Sequence, residues 1–129
     1  MEVLVEISKI IINEKVAQQV VVLKETEGER FFPIVIGMPE ILAIDRRIKN
    51  QKFARPLTHD LLAATIESLG GTLEKMVITD LNNHTYYANL CIKINGQTVN
   101  IDCRPSDALA VSAGMNIPIY VDEAVFQKM

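Results

Sequence analysis

An Asn-Gly pair at positions 95 and 96 constrains the fold of this chain more than any other feature, because this dipeptide favours a two-residue β-hairpin turn. If Asn95 and Gly96 form the turn, Ile94 pairs with Gln97 and one face of the hairpin is entirely apolar. That face carries Ala88, Leu90, Ile92, Val99, Ile101 and Cys103. A shift of one residue would mix polar and apolar side chains on both faces, so the pattern predicts the register together with the turn.

The other segments alternate between β-branched runs and helical spacing, and together they predict an α+β fold. We expect one compact domain over residues 1–129, with a mixed or antiparallel sheet of about six to seven strands and about three to four helices. Predicted strands cover residues 3–12, 17–24, 31–36, 72–80, 86–94, 97–103 and 117–121. Pro118 places the last strand at an edge of the sheet in this prediction, because proline cannot donate to a ladder.

Predicted helices begin near Pro39, Thr58, Ser106 and Asp122. Gly70-Gly71 and Gly114 are expected to end the second and third helices. The last helix stops abruptly at Met129, which leaves room for a natural chain that continues beyond this residue.

The composition is that of a globular protein, with 49% hydrophobic and 22% charged residues. The longest apolar run, Val20–Leu23, is far too short for a membrane helix, and the first residues lack the pattern of a signal peptide. The predicted register puts Cys91 and Cys103 on opposite faces, which argues against a disulfide and favours a reducing, cytoplasmic location. A net charge of −3 is mildly unfavourable for nucleic-acid binding.

An Arg-Pro turn occurs twice, in residues 55–60 and 104–107, and both copies continue with a hydroxyl residue, an Asp and an apolar run. This similarity predicts an internal β-α pseudo-repeat, although so short a match also arises by chance. Each turn delivers an Arg beside a helix N-terminus, where free N–H groups and a planar guanidinium suit a phosphate. The opposing interpretation is structural: Thr58 and Ser106 cap helices, and each Arg pairs with an Asp.

The residue types at these turns are those of metal-assisted phosphodiester cleavage. The predicted catalytic residues are His59, Asp60, Asp102, Arg104 and Asp107. Their carboxylates, Asp102, Asp107 and Asp60, are the predicted ligands of Mg²⁺ or Mn²⁺. His59 could act as general base or acid, and the arginines could stabilise charge in the transition state.

Phosphate binding is predicted for the turns and for a basic stretch that precedes the first of them. The residues are Arg55, Thr58, Ser106, Arg46, Arg47, Lys49 and Lys52. Clustered cations can hold a nucleic-acid backbone, but they also occur at solvated helix ends, and only Phe53 is available for stacking on a base.

Three segments, residues 32–37, 55–62 and 101–110, resemble the bifunctional nuclease family, also called the BFN domain, and the resemblance covers nearly the whole chain. It implies a small α+β domain that forms homodimers and a nuclease activity on both RNA and DNA. Cys103 stands where a small residue such as Ser or Ala is expected, which indicates packing rather than nucleophilic chemistry.

The leading hypothesis is therefore a nuclease of broad specificity assisted by a divalent cation, with RNA or DNA as substrate and no membrane partner. An alternative is a non-catalytic dimeric module that binds an anionic ligand, nucleic acid or a protein partner, which the acidic charge and scarce aromatics favour. A third is a hydrolase of small phosphorylated compounds. Comparing mononucleotides with polymers as substrates would separate the first from the third.

Overall fold

The hairpin at Asn95 and Gly96 forms as the alternation predicts, at one end of a seven-stranded sheet in the computed structural model, which describes residues 1–129. Ile94 pairs with Gln97 and Ala88 pairs with Cys103, so the predicted register is confirmed. Asn95 and Gly96 have φ angles of 52° and 77°. These are the left-handed values that such a turn requires.

The predicted elements all exist, and their bounds differ from the prediction by at most two residues. The strands are β1 (Glu2–Ile11), β2 (Gln18–Glu25), β3 (Phe31–Gly37), β4 (Thr72–Asn82), β5 (Thr85–Ile94), β6 (Gln97–Cys103) and β7 (Ile119–Asp122). The helices are α1 (Met38–Ile48), α2 (Thr58–Ser68), α3 (Pro105–Ser112) and α4 (Glu123–Gln127). None of the four combines the length and apolar content that a membrane span requires.

The strand order is β3-β2-β1-β7-β4-β5-β6, and only the β4–β7 pair is parallel. The prediction that the last strand lies at an edge is wrong, because β7 occupies the centre of the sheet. Pro118 precedes β7, so its missing N–H removes no bond from the ladder. Its carbonyl oxygen even extends the pairing by accepting from the Met76 N–H at 3.2 Å.

The order of three strands followed by a helix occurs twice, as β1-β2-β3-α1 and β4-β5-β6-α3, with β7 between the two sets of strands. The pseudo-repeat therefore has a structural form, but its boundaries differ from those suggested by the Arg-Pro turns. The turn at Arg104 joins β6 to α3, and its counterpart is the turn at Gly37 between β3 and α1. The turn at Arg55 lies outside the repeat, because it precedes α2.

The core is one cluster of 21 buried residues, which is almost entirely aliphatic. Helix α1 packs against β2 and β3, α3 packs against β4 and β5, and the two helices contact each other. Their C-terminal ends approach closely at Gly114, where a Cβ atom would lie 2.2 Å from the carbonyl oxygen of Arg47. Only glycine fits there, so this residue allows α1 and α3 to meet and their starts to face a common region.

The helix starts correct the predicted N-caps. Leu57 caps α2 and Arg104 caps α3, so Thr58 and Ser106 are the first and second residues inside their helices. The fixed φ of Pro105 suits the first helical position, which starts α3 before Ser106. At α2, the backbone N–H of Leu57 donates to the Asp60 carboxylate at 3.0 Å.

Three acidic residues occupy the same position in the first turn of their helices. Glu40, Asp60 and Asp107 are each the third residue of a helix, in α1, α2 and α3 respectively. A carboxylate in the first turn is favoured by the free N–H groups and the positive end of the helix dipole. These three residues define the chemistry of the region where the helices begin.

Candidate functional site

The largest cleft near the predicted residues, which we call the His59 cleft, has a volume of about 710 Å³. It lies between the starts of α1, α2 and α3 and the segment that joins α1 to α2. The side chains that matter for its chemistry are Glu40, Asp45, Arg46, Thr58, His59, Arg104 and Asp107. Thr58, His59, Arg104 and Asp107 were predicted from sequence as parts of one site, and the fold brings them together although 49 positions separate Thr58 from Asp107.

Asp107 is the centre of this cleft. Its carboxylate accepts two hydrogen bonds from Arg104, from Nε at 2.8 Å and from Nη2 at 3.1 Å. The Nε2 atom of His59 lies 3.2 Å from its Oδ1 atom. Arg104 also approaches Glu40, with Nη1 3.6 Å from Oε1. An imidazole, a carboxylate, a guanidinium and a second carboxylate thus form one connected chain of charges.

The electrostatics of Asp107 follow from this arrangement. Burial alone would raise the pKa of Asp107, but the hydrogen bonds from Arg104 and His59 outweigh it and hold the pKa below its ordinary value. The bond to Asp107 in turn raises the pKa of Arg104. Asp107 is therefore an anion at neutral pH. If His59 donates through Nε2–H, as this network implies, its Nδ1 atom carries the free lone pair.

Asp60, predicted as a catalytic and metal-binding residue, is held by arginines instead. Arg46 Nη1 lies 3.2 Å from its Oδ2 atom, and Arg47 forms an ion pair with its Oδ1 atom. Arg47 also donates from Nη2 to the carbonyl oxygen of Val111 at 2.9 Å. Asp60 thus ties the start of α2 to the end of α1, and Arg47 ties both to α3.

The pKa of Asp60 agrees with this anchoring role. Burial works to raise it, whereas the hydrogen bonds from the Leu57 N–H, Arg47 and Arg46 lower it, and the net result is a pKa below the ordinary value. Arg46 and Arg47 were predicted to bind phosphate, yet Nη1 of Arg46 and both Nη atoms of Arg47 bind groups of the protein. Two of their buried nitrogens, Nη2 of Arg46 and Nε of Arg47, have no hydrogen-bond partner.

A second cleft, the basic pocket, is lined in part by Asp60 and has a volume of about 340 Å³. Four predicted phosphate-binding cations line it: Arg46, Arg47, Lys52 and Arg55. Arg46 lines both this pocket and the His59 cleft, so the two are neighbours. Lys49 lies apart, because it pairs with Asp45 at 3.0 Å on α1. The structure thus assembles most of the basic stretch around one pocket.

Asp102 does not join either cleft. It is exposed on β6 opposite Asn89, on the face away from Ile101 and Cys103, and no hydrogen bond or ion pair connects it to Arg104. The alternation of the strand explains the difference, since a residue two positions before the turn points away from the helices. Ser106 is buried in a third cleft, close to Glu40 and Arg104.

The sequence analysis overlooked Glu40, which lies beside Arg104. A signal was present, because an acidic residue directly after a proline at a helix start is typical of the first helical turn. It also overlooked the contact between Arg46 and Phe53, whose ring centre lies 5.5 Å from the guanidinium carbon. A cation–π contact between a helix and a loop leaves no pattern in the sequence.

Comparison with known proteins decides the family. Residues 21–129 match the bifunctional nuclease domain. The chain belongs to the bifunctional nuclease family. The matched range of this BFN domain includes every residue of the His59 cleft and of the basic pocket.

The relatives of this BFN domain are longer proteins. An uncharacterized protein of Mycobacterium tuberculosis (strain H37Rv) is 41% identical over 108 residues, which cover 84% of this chain and 64% of the relative. Bifunctional nuclease 1 of Arabidopsis thaliana is 28% identical over 108 residues, or 80% of this chain and 33% of the relative. Bifunctional nuclease 2 of Oryza sativa subsp. japonica is 28% identical over 119 residues, or 88% and 36%. The chain thus spans between one third and two thirds of these relatives.

Whether this BFN domain can bind a divalent cation depends on how many of its carboxylate oxygens are free. A cation of this kind needs several open oxygens. Both oxygens of Asp107 and both oxygens of Asp60 already accept hydrogen bonds or ion pairs, and Asp102 lies elsewhere. No three His, Cys, Asp or Glu side chains form a group that could hold a metal ion. A cation at Asp107 or Asp60 would have to share the carboxylate with a guanidinium.

Proposed function

We propose that this BFN domain hydrolyses phosphodiester bonds in RNA and DNA at the His59 cleft. The observation that carries the proposal is the linkage of His59, Asp107 and Arg104 in a cleft open to solvent. The plant relatives, which are named bifunctional nucleases, support the same reaction class. Everything needed to move a proton and to neutralise a phosphate lies within one connected set of side chains.

The role of each residue follows from its free atoms. Asp107 orients the imidazole through Nε2, and Nδ1 of His59 is then free to accept a proton from the attacking water. Arg104 uses Nε and one Nη2 hydrogen on Asp107. The other Nη2 hydrogen, and Nη1 beyond its long 3.6 Å contact with Glu40, are left for a phosphate. With 67% of its side chain exposed, Arg104 can meet a substrate directly. It would stabilise the charge that grows on the phosphate oxygens.

The basic pocket supports a polymeric substrate. Lys52 and Arg55 line it and make no ion pair with a carboxylate, so they are available for a phosphate next to the one under attack. A nucleic-acid strand offers such a neighbouring phosphate, whereas a mononucleotide does not. This feature favours polymers over the small phosphorylated compounds that the sequence also allowed.

The direct test is cleavage of fluorescently labelled single-stranded RNA and DNA by the purified protein. We expect His59→Ala to lower the rate by about 100-fold to 10,000-fold, the usual contribution of a general base. Asp102→Asn is the matched control, because it removes a carboxylate close in sequence that lines neither cleft. Equal rates for wild type and His59→Ala, or a large loss in Asp102→Asn, would contradict the site.

The involvement of Mg²⁺ or Mn²⁺, predicted from the sequence, stays a prediction. We propose to test it by repeating the assay in EDTA and then adding each cation back. Because the carboxylates are paired with arginines, cleavage that persists in EDTA would agree with a mechanism carried by His59 and Arg104. Loss in EDTA and recovery with one cation would instead support the metal-assisted mechanism.

A second candidate function is a binding module without catalysis, and the basic pocket is the observation that favours it. Four cations around one cavity can bind an anion whether or not His59 takes part. Binding of labelled oligonucleotides that leaves the strands intact, and that weakens in Arg55→Ala but not in His59→Ala, would favour this function over the first.

We also propose that the chain forms a homodimer through α2 and the β6 edge. No residue of α2 is buried. Its apolar side chains Leu61 and Leu62 are exposed, and so are the flanking cap residues Leu57 and Leu69. Val99 and Ile101 are also exposed, although they lie on the face of the hairpin whose β5 residues are buried. Exposed apolar side chains in such number are typical of a subunit interface.

The oligomeric state can be measured by light scattering after size-exclusion chromatography. We expect Leu61→Glu to turn a dimer into a monomer, because it introduces a charge at the centre of the exposed α2 face. Phe31→Glu is the control, since Phe31 is equally exposed but lies on β3 at the opposite edge of the sheet.

The two free cysteines agree with the cytoplasmic location that we propose, which cell fractionation would test.

A further inference from the structure

A third cleft, which we call the His84 cleft, adjoins the candidate site. It has a volume of about 370 Å³ and lies between the end of β3, the β4–β5 turn and the start of α3. Its polar side chains include Glu40, His84, Arg104 and Ser106. Glu40 and Arg104 also line the His59 cleft, so these two residues form the boundary between the two cavities.

The chain contains two histidines, and each lines one of the cavities that meet at Arg104. A phosphodiester bound to the exposed guanidinium would therefore have His59 on one side and His84 on the other. Hydrolysis of this ester by water needs a base for the nucleophile and an acid for the leaving oxygen, roughly in line through the phosphorus. Two imidazoles in cavities that share Arg104 could supply one such base and one such acid.

The backbone at His84 gives a second, independent indication. Asn83 and His84 form the β4–β5 turn with φ angles of 51° and 64°, and Asn95 and Gly96 form the β5–β6 turn with 52° and 77°. Both turns have positive φ angles at their two positions, but the second position is glycine in one and histidine in the other. A left-handed conformation is unfavourable for a side chain with a Cβ atom, and such positions concentrate at functional sites.

We infer that His84 is the general acid of the reaction that we propose above, with His59 as its general base. His59 Nδ1 takes a proton from water while the water oxygen forms a bond to phosphorus. The bond from phosphorus to the leaving oxygen breaks, and the His84 imidazolium gives its proton to that oxygen. Water is consumed, a phosphomonoester and a hydroxyl are formed, and Arg104 neutralises the charge on the phosphate oxygens in between.

The surroundings of His84 are suited to this role. The charged or titratable groups that line its cleft are Glu40 from α1, Tyr86 from β5 and Arg104 before α3, and the β3 segment contributes none. Glu40 and Arg104 therefore place one carboxylate and one guanidinium in the lining of the cleft that also contains the His84 imidazole.

The test uses His84→Gly, which gives the turn the same Asn-Gly sequence as the β5–β6 turn. Because glycine relieves the backbone strain, we expect an unfolding temperature at or above that of the wild type, so a fall in activity cannot arise from misfolding. On an oligonucleotide, the rate should fall by about 100-fold or more. On a nitrophenyl phosphodiester, whose leaving oxygen needs no proton, the loss should shrink to a few-fold. His59→Ala should lose activity equally on both substrates.

Two further outcomes bear on the inference. In the pH profile of oligonucleotide cleavage, the decline at alkaline pH should disappear in His84→Gly and remain in the wild type. Unchanged cleavage by His84→Gly, or an equal loss on both substrates, would overturn the role of His84 while leaving the His59 cleft intact. A wild-type protein that cleaves neither substrate would overturn the proposed function and this inference together.

Discussion

Asp60 and Asp107 occupy equivalent positions in their helices, but they have different partners and different roles. Each is the third residue of a helix, each is predicted from an Arg-Pro turn, and their side chains are almost equally exposed, at 25% and 29%. Asp60 is bound by Arg46 and Arg47, which are only 9% and 12% exposed. Asp107 is bound by His59 and by Arg104, which is 67% exposed. The partners, rather than the carboxylates, distinguish the two regions.

The comparison shows how one local motif can give an anchor or a reactive site. When the cations are buried, the carboxylate cannot be removed without leaving charge in the interior. When the main cation reaches solvent, the pair contributes little to stability, but its guanidinium is available to a substrate. The exposure of the arginine therefore indicates which of two similar ion pairs takes part in function.

The largest effect should come from removing the anchor. Asp60→Ala leaves two buried guanidiniums without their carboxylate, and we expect it to lower the free energy of unfolding by about 3–5 kcal/mol. Asp107→Ala should cost less than about 1 kcal/mol, because Arg104 returns to water. Urea denaturation of both variants measures the difference. Equal losses would show that the two carboxylates play the same structural role.

A smaller effect on stability but a large one on chemistry is expected at Arg104. Arg104→Ala should lower kcat/KM for oligonucleotide cleavage by about 100-fold, or about 2.7 kcal/mol in the activation free energy, because it removes a donor to the transition state. Its stability should stay close to that of the wild type. Arg46→Ala serves as the contrast, since this arginine is buried and should lose stability first. A stable, fully active Arg104→Ala protein would be incompatible with the His59 cleft as the site.

The ion pairs of Asp60 should also make the free energy of unfolding depend on pH, with a smaller effect than the substitutions above. Because the folded protein lowers the pKa of Asp60, its carboxylate contributes stability that is present above the ordinary pKa and is lost as the pH falls through the folded value. The wild type should thus lose part of its advantage over Asp60→Asn below about pH 4. Unfolding free energies of both proteins from pH 7 to pH 2 provide the check. Parallel curves across this range would argue against the anchor.

The smallest effect is expected at Cys103, directly before Arg104. Burial raises the pKa of its thiol to about 11, with a further contribution from the negative charges of Asp102 and Asp107. The thiol is therefore protonated at pH 8 and should react with iodoacetamide far more slowly in the folded protein than in urea. Cys103→Ala should cleave oligonucleotides at the wild-type rate. Loss of activity in this variant would bring a nucleophilic cysteine back into consideration.

Most of the secondary structure could be predicted because it depends on local patterns. The register of β5 and β6 follows from alternation around Asn95 and Gly96, and the structure confirms it. The position of β7 could not be predicted, since Pro118 excludes a central strand only if it lies within the ladder, and it lies just before. Whether a proline falls inside or outside a ladder depends on where the neighbouring strands begin.

The candidate site was predictable in its members but not in their pairing. Local sequence is enough to predict that carboxylates and arginines gather at helix starts, because capping and the helix dipole act over a few residues. Long-range packing is needed to bring Asp60 to Arg46 and Arg47, Asp107 to His59, and Glu40 to Arg104. These contacts depend on how closely α1, α2 and α3 pack over the sheet, and that distance is set by the whole core rather than by any segment of the chain.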